Sequence, residues 1–194
     1  MAGSSTDSGA SAQARFYYDF ASPEAYLVAE RVNAALPEVP EWIPVRIGSV
    51  GAFRCAEEEL IYWEDVEARA HRYGLQPVRR PDPFPADTGW AMLAATYAKQ
   101  IGRGVAFSLA AFRQAFAGGR DLSSRENVLI AAAACEMHPA ALVEGAELGS
   151  IATRLEEATA AAAAAGVVDV PAVQVGDRVF HGDRELEKAA GALA

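Results

Sequence analysis

Cysteine is nearly missing from this chain. Cys55 and Cys135 stand far apart, and no C-x-x-C or metal-ligand spacing surrounds them. A dithiol redox centre and a thiolate metal site are therefore not signalled. Two free thiols suit a reducing compartment, so the expected location is cytoplasmic. Positive charge is also short: 17 Lys and Arg face 26 Asp and Glu, for a net charge of -9. That balance argues against nucleic acid or an anionic membrane surface as partner. A small anionic ligand stays open, because local arginines can override the global sign. Long apolar runs are missing too. Ala160–Ala165 is short, follows charged residues and reads as a helix end, not a membrane span. Residues 1–14 have no cationic start and no apolar core, so they read as a disordered lead-in and not as a secretory signal. No internal repeat is visible.

What is present suits a packed core. The 194 residues are 52% hydrophobic and 22% charged, enough for one ordinary domain or a small domain with a large insertion. The organising stretch runs from Tyr17 to Tyr26. Arg15 to Phe20 is short, aromatic and apolar, as a buried strand is. Ser22 then stands at an N-cap position and Pro23 at the first helical position, followed by a helix to Leu36. Glu41 to Ile47 reads as a second strand, with Pro44 marking an edge or a bulge. Strand, helix, strand in this space is a right-handed βαβ unit with parallel strands.

The middle of the chain is helical. Glu57 to Tyr73, Ala86 to Ile101, Gly104 to Ala117, a helix opened by Ser123-x-x-Glu126 as a capping box, Pro139 to Glu147, and Ser150 to Ala165 all read as helices. Pro77 to Pro85 is an extended proline-rich loop, and Gly166 is a stop at the last of these helices. Val170 to Val175 and Arg178 to His181 then form a hairpin across Gly176-Asp177, before a final helix from Glu185 to Leu193. The fold class is α/β: a thioredoxin-like fold, βαβ and ββα, with a large all-helical insertion. The thioredoxin-like part is residues 15–53 plus 167–194, and the helical insertion is 54–166. The insertion is expected to roof a cleft over the N-terminus of the first helix.

Three segments resemble one family. Asp19-Phe20-Ala21-Ser22-Pro23-Glu24-Ala25-Tyr26-Leu27 is similar to the D-F-x-S-P-x-x-Y-L opening of the DsbA-like proteins that include 2-hydroxychromene-2-carboxylate isomerases and kappa-class glutathione transferases. Gly166 to Ala172 resembles that family's G-V-x-G-V-P-T/A segment, and Phe180 to Arg184 its F-W-G-x-D-R end. Pro83-Phe84-Pro85 before a helix is similar to the family's middle. The resemblance implies glutathione as cofactor, Ser22 as the catalytic hydroxyl that holds its thiolate, and Val170 and a cis Pro171 as the backbone site for it. It implies Asp183 as the acid for its amine, and a small-molecule substrate that is a conjugated aromatic-derived carboxylic acid. It also implies a homodimer. The alternatives are a kappa-type glutathione transferase or peroxidase, and a DsbA-like domain without thiol chemistry that binds a small acid or a protein partner. Two departures favour the last: Glu57 and Glu58 stand where the family carries an Asn, and Gly182-Asp183-Arg184 is one residue shorter than the family's run.

Phe53, Trp63 and His181 are expected in the substrate pocket. Cys55 should border the cleft, where Arg54 would favour its thiolate, or serve as a small loop hydrophobe. Cys135 should pack in a core; His71 and His138 read as surface or cap residues. Arg79-Arg80 is a basic pair in the proline-rich loop, read as solvated or as attracting a carboxylate substrate.

Overall fold

The computed structural model describes residues 13–48 and 53–193. Four strands form one sheet: β1 (Arg15–Tyr18), β2 (Glu41–Pro44), β3 (Ala172–Val175) and β4 (Arg178–His181), in the order β2-β1-β3-β4. The β1–β2 pair is parallel, with Phe16 opposite Trp42. The other pairs are antiparallel, with Phe16 opposite Val173 and Val173 opposite Phe180. This is the thioredoxin-like arrangement expected from βαβ plus ββα, and β2 is an edge strand, as Pro44 requires.

Alternation along the strands explains the aromatic run in β1. Successive side chains point to opposite faces. Phe16 and Tyr18 join Trp42, Val173 and Phe180 in the main core, with the N-terminal helices and most of the helical block. Tyr17 faces the other way, into a smaller core with Ile43, Val45, Ala162 and Ala172. Both faces of the sheet are covered, so β1 has no polar face to show.

Nine α-helices surround the sheet among the described residues. The first, α1 (Pro23–Ala29), ends earlier than the expected Leu36, and a separate turn α2 (Val32–Ala35) follows. The break falls where Glu30 and Arg31 turn outward to tertiary partners. Glu30 pairs with Arg113, and Arg31 pairs with Glu187 and lies 3.6 Å over the Tyr73 ring. The helical block contains α3 (Ala56–Arg72), α4 (Gly89–Gln100), α5 (Gly104–Phe112), α6 (Arg125–Ala133), α7 (Pro139–Ala146) and α8 (Gly149–Ala164). A π-helical turn, Arg113–Ala117, continues α5. A short 3-10 turn, Asp183–Glu185, leads into α9 (Leu186–Gly191).

Two local expectations need correction. The capping box does not form at Ser123: α6 starts at Arg125 with Ser124 as its cap, because the Ser123 hydroxyl is spent on Asp121. Gln13 and Ala14 are not lead-in but part of the packed body. Gln13 Nε2 donates to Val39 O at 2.9 Å, and Ala14 is buried. The rest of the N-terminal stretch lies outside the described residues, as do 49–52 of the loop after β2. No helix among the described residues is long and apolar enough to cross a membrane.

Candidate functional site

The sheet brings two distant segments to one cleft of about 440 Å³. One is the β1–α1 junction, Asp19 to Glu24; the other is Asp169-Val170-Pro171 before β3, with the Val170–Pro171 peptide cis. The helical block supplies the opposite wall through Glu58 and Tyr62, with Phe53 just before it. His181 and Gly182 close the end.

Ser22 is the N-cap of α1 and is 5% exposed. Its Oγ accepts the Ala25 N–H at 3.0 Å, which satisfies one first-turn donor. The hydroxyl hydrogen is only weakly committed. Its acceptors are Glu24 Oε2 and the Val170 carbonyl, each at 3.4 Å. An anionic atom in the cleft would offer that hydrogen a better partner, next to the positive end of α1.

Four acids, Asp19, Glu24, Glu58 and Asp169, line the cleft beside Tyr62 and His181, and among the described residues no Lys or Arg does. Among the described residues no three His, Cys, Asp or Glu groups converge to hold a metal ion. Burial pushes the Asp19 carboxyl up, although the Ala21 N–H at 2.9 Å and the Thr88 hydroxyl at 2.7 Å pull the other way. Glu58 is held low by hydrogen bonds from the Arg54 side chain and backbone N–H. Glu57 is also low, through its own backbone N–H and then Cys55. Burial and the neighbouring Glu24 push the Tyr62 phenol well up, so it is a donor at ordinary pH.

Glu24 is fixed by two donors. Tyr62 gives its hydroxyl to Oε2 at 2.8 Å, and Arg69 gives Nη2 to Oε1 at 3.3 Å. Arg69 is 5% exposed and also binds Asp65 Oδ2 at 3.0 Å and Asp183 Oδ1. Burial alone would lower the guanidinium pKa; Asp183, Glu24 and Asp65 together outweigh it and raise it.

That network moves one expected residue out of the site. Asp183 is 2% exposed, and its carboxylate is spent on Arg69 and on the Tyr73 hydroxyl at 2.9 Å. It does not line the cleft. Trp63 does not either: it is buried beneath it, edge-on to Phe84 at 4.7 Å. Ser22, Val170, Pro171, Phe53 and His181 do come together. Phe53 stands against Tyr62, and His181 Nε2 accepts the Val168 N–H at 3.2 Å. The Val170 N–H is taken by its neighbour Asp169 Oδ1 at 2.8 Å. Cys55 is exposed at the N-cap of α3, outside the lining, and Cys135 is half-buried against the main core. Arg80 of the basic pair binds Glu59 at 2.9 Å. Sequence reasoning missed Asp19, Glu24, Tyr62 and Asp169 as lining. For Asp19 a signal existed: a carboxylate ending a buried strand beside a helix cap.

Residues 13–194 match the family model described as a DSBA-like thioredoxin domain. Among solved structures the chain is similar to a 2-hydroxychromene-2-carboxylate isomerase, at 20% identity and TM-score 0.81, over 93% of each chain. It is also similar to a "probable DsbA oxidoreductase" of Streptomyces coelicolor, at 19% identity and TM-score 0.74, over 93% of this chain and 88% of that one. A Proteus mirabilis DsbA with a non-covalently bound peptide follows at 14% identity and TM-score 0.56, over 95% and 85%. At these identities the likeness is one of fold. No curated protein matches the chain in sequence.

Proposed function

We propose, for a chain that belongs to the DSBA-like thioredoxin domain family, that it is a glutathione-dependent isomerase of a conjugated aromatic-derived carboxylic acid. The observation that carries this reading is Ser22. A hydroxyl with a weakly committed hydrogen caps α1 opposite Pro171, and among the described residues no cysteine lines the cleft. The site therefore suits a thiol brought by a cofactor better than dithiol exchange.

The residues present fit the thiol end of glutathione. When bound, it supplies a nucleophilic sulfur. Ser22 Oγ would donate to that sulfur, and the N-terminus of α1 would favour its ionised form. Glu24 Oε2, held by Tyr62, faces the same hydroxyl and would orient it. Phe53 and Tyr62 offer an apolar wall to a flat substrate. The cleft carboxylates take the ammonium end, since Asp183 is spent on Arg69.

Calorimetric titration with glutathione tests the reading. The wild type is expected to bind in the millimolar range or better, and Ser22→Ala about tenfold or more weakly, the worth of a hydrogen bond to a charged atom. Silence of the wild type at millimolar glutathione would remove the thiol from the mechanism.

A second reading rests on the four carboxylates: a DsbA-like domain without thiol chemistry that binds a cationic small molecule. Spermidine and glutathione titrated against the same protein separate the two, because only this reading expects tight, salt-sensitive binding of spermidine with none of glutathione.

A further inference from the structure

Beside the main cleft lies a smaller pocket of about 280 Å³ that shares Asp19, Ala21 and Gly48 with it. Its one cation is Arg46. We infer that Arg46 makes this side pocket a carboxylate subsite of the cleft, which selects an acidic substrate over its neutral analogue. The inference rests on the reading of the cleft as the place where a small conjugated acid is turned over.

The backbone of Arg46 is anchored just past β2. Its N–H donates to Thr159 Oγ1 of α8 at 3.0 Å. The side chain then forms the wall between the side pocket and a groove along α4 and α8. The absence of a side chain at Gly89 leaves it room. A Cβ there would stand 3.4 Å from Arg46 Nη1 and 3.1 Å from Asp87 Oδ1.

Three acids share a pocket with Arg46: Asp19 and Asp87 in the side pocket and Glu156 in the groove. None pairs with it, and among the described residues Arg46 has no ion pair and no side-chain hydrogen bond, whereas Arg69, Arg113 and Arg184 each hold carboxylates. Asp19 and Asp87 are already occupied. Asp19 Oδ1 accepts from Ala21 and Thr88, and Asp87 Oδ1 accepts the Gly89 N–H at 2.9 Å. The guanidinium fork thus keeps its donors free, in the geometry that suits a planar carboxylate. An acid bound there would extend its conjugated body past Gly48 toward Ser22 and Phe53.

Cinnamate and cinnamamide are suitable probes, alike in shape and unlike in charge. Titrated separately, the wild type is expected to bind cinnamate about tenfold more tightly than the amide. Arg46→Gln should abolish that preference by weakening cinnamate alone, and Arg46→Lys should keep part of it. The side chain is exposed and makes no bond, so thermal melts of the variants are expected to match the wild type. Equal affinity for the two probes in the wild type, or an unchanged preference in Arg46→Gln, overturns the subsite. Glutathione titration is scored apart: binding of glutathione without cinnamate preference removes the subsite and leaves the thiol reading. A preference lost in Arg46→Gln, in a protein that ignores glutathione, does the reverse.

Discussion

Arg69 holds three carboxylates at once, and this decides which residues the cleft can use. The motif that ends in Asp183-Arg184 suggested a ligand for an amine. The sequence showed the acid but not its partner, which arrives from 114 positions away. Only the packed chain reveals that Asp183 is an interior counter-ion. Removing one member of such a buried pair strands the other, at a cost of about 3–5 kcal/mol. Asp183→Leu is therefore expected to lose that much stability in urea unfolding, whereas Asp65→Ala, at the exposed side of Arg69, should lose under about 1 kcal/mol. Asp19 gives a pH signature. Burial raises its folded value above the unfolded one, so the folded state keeps the proton longer. Its stabilising effect is full below the ordinary Asp value of about 4 and is lost as pH rises through the folded value. Unfolding free energy measured from pH 4 upward should fall in the wild type relative to Asp19→Asn; a constant difference would show that Asp19 does not titrate in that window.

Elements were far more legible than side-chain partners. Short apolar runs, the Gly176-Asp177 turn, helical spacing, the Pro23 start and the Gly166 stop placed nearly every strand and helix, because these signals are local. Failures came where a side chain found another partner. Arg31 and Glu30, drawn to distant partners, broke one expected helix into α1 and α2, and nearby Asp121 drew Ser123 away from its cap. Helix packing adds a constraint that no periodicity reveals. On α7, Gly145 lies against α4 so closely that a Cβ would sit 2.3 Å from the Tyr97 ring. Gly145→Ala is expected to cost about 1–3 kcal/mol by overpacking, and Tyr97→Ala in the same chain should recover part of it in a double-mutant cycle.

The whole molecule has two thiols and no bond between them. Reducing agent is expected to leave the melting temperature unchanged. In the native state a thiol reagent should modify exposed Cys55 quickly and Cys135 slowly, since burial raises the Cys135 thiol; a reductant-sensitive melt would contradict that picture. The sheet topology has a consequence for synthesis. Its central pair joins β1, near the start of the chain, to β3, near the end. A ribosome releases the aromatic strand first and its antiparallel partner last. Throughout elongation Phe16 lacks its cross-strand neighbour Val173, and Pro171 has not yet met Ser22. A message cut short anywhere in the helical block would yield no weakened version of the fold, only a sticky fragment destined for the quality-control machinery.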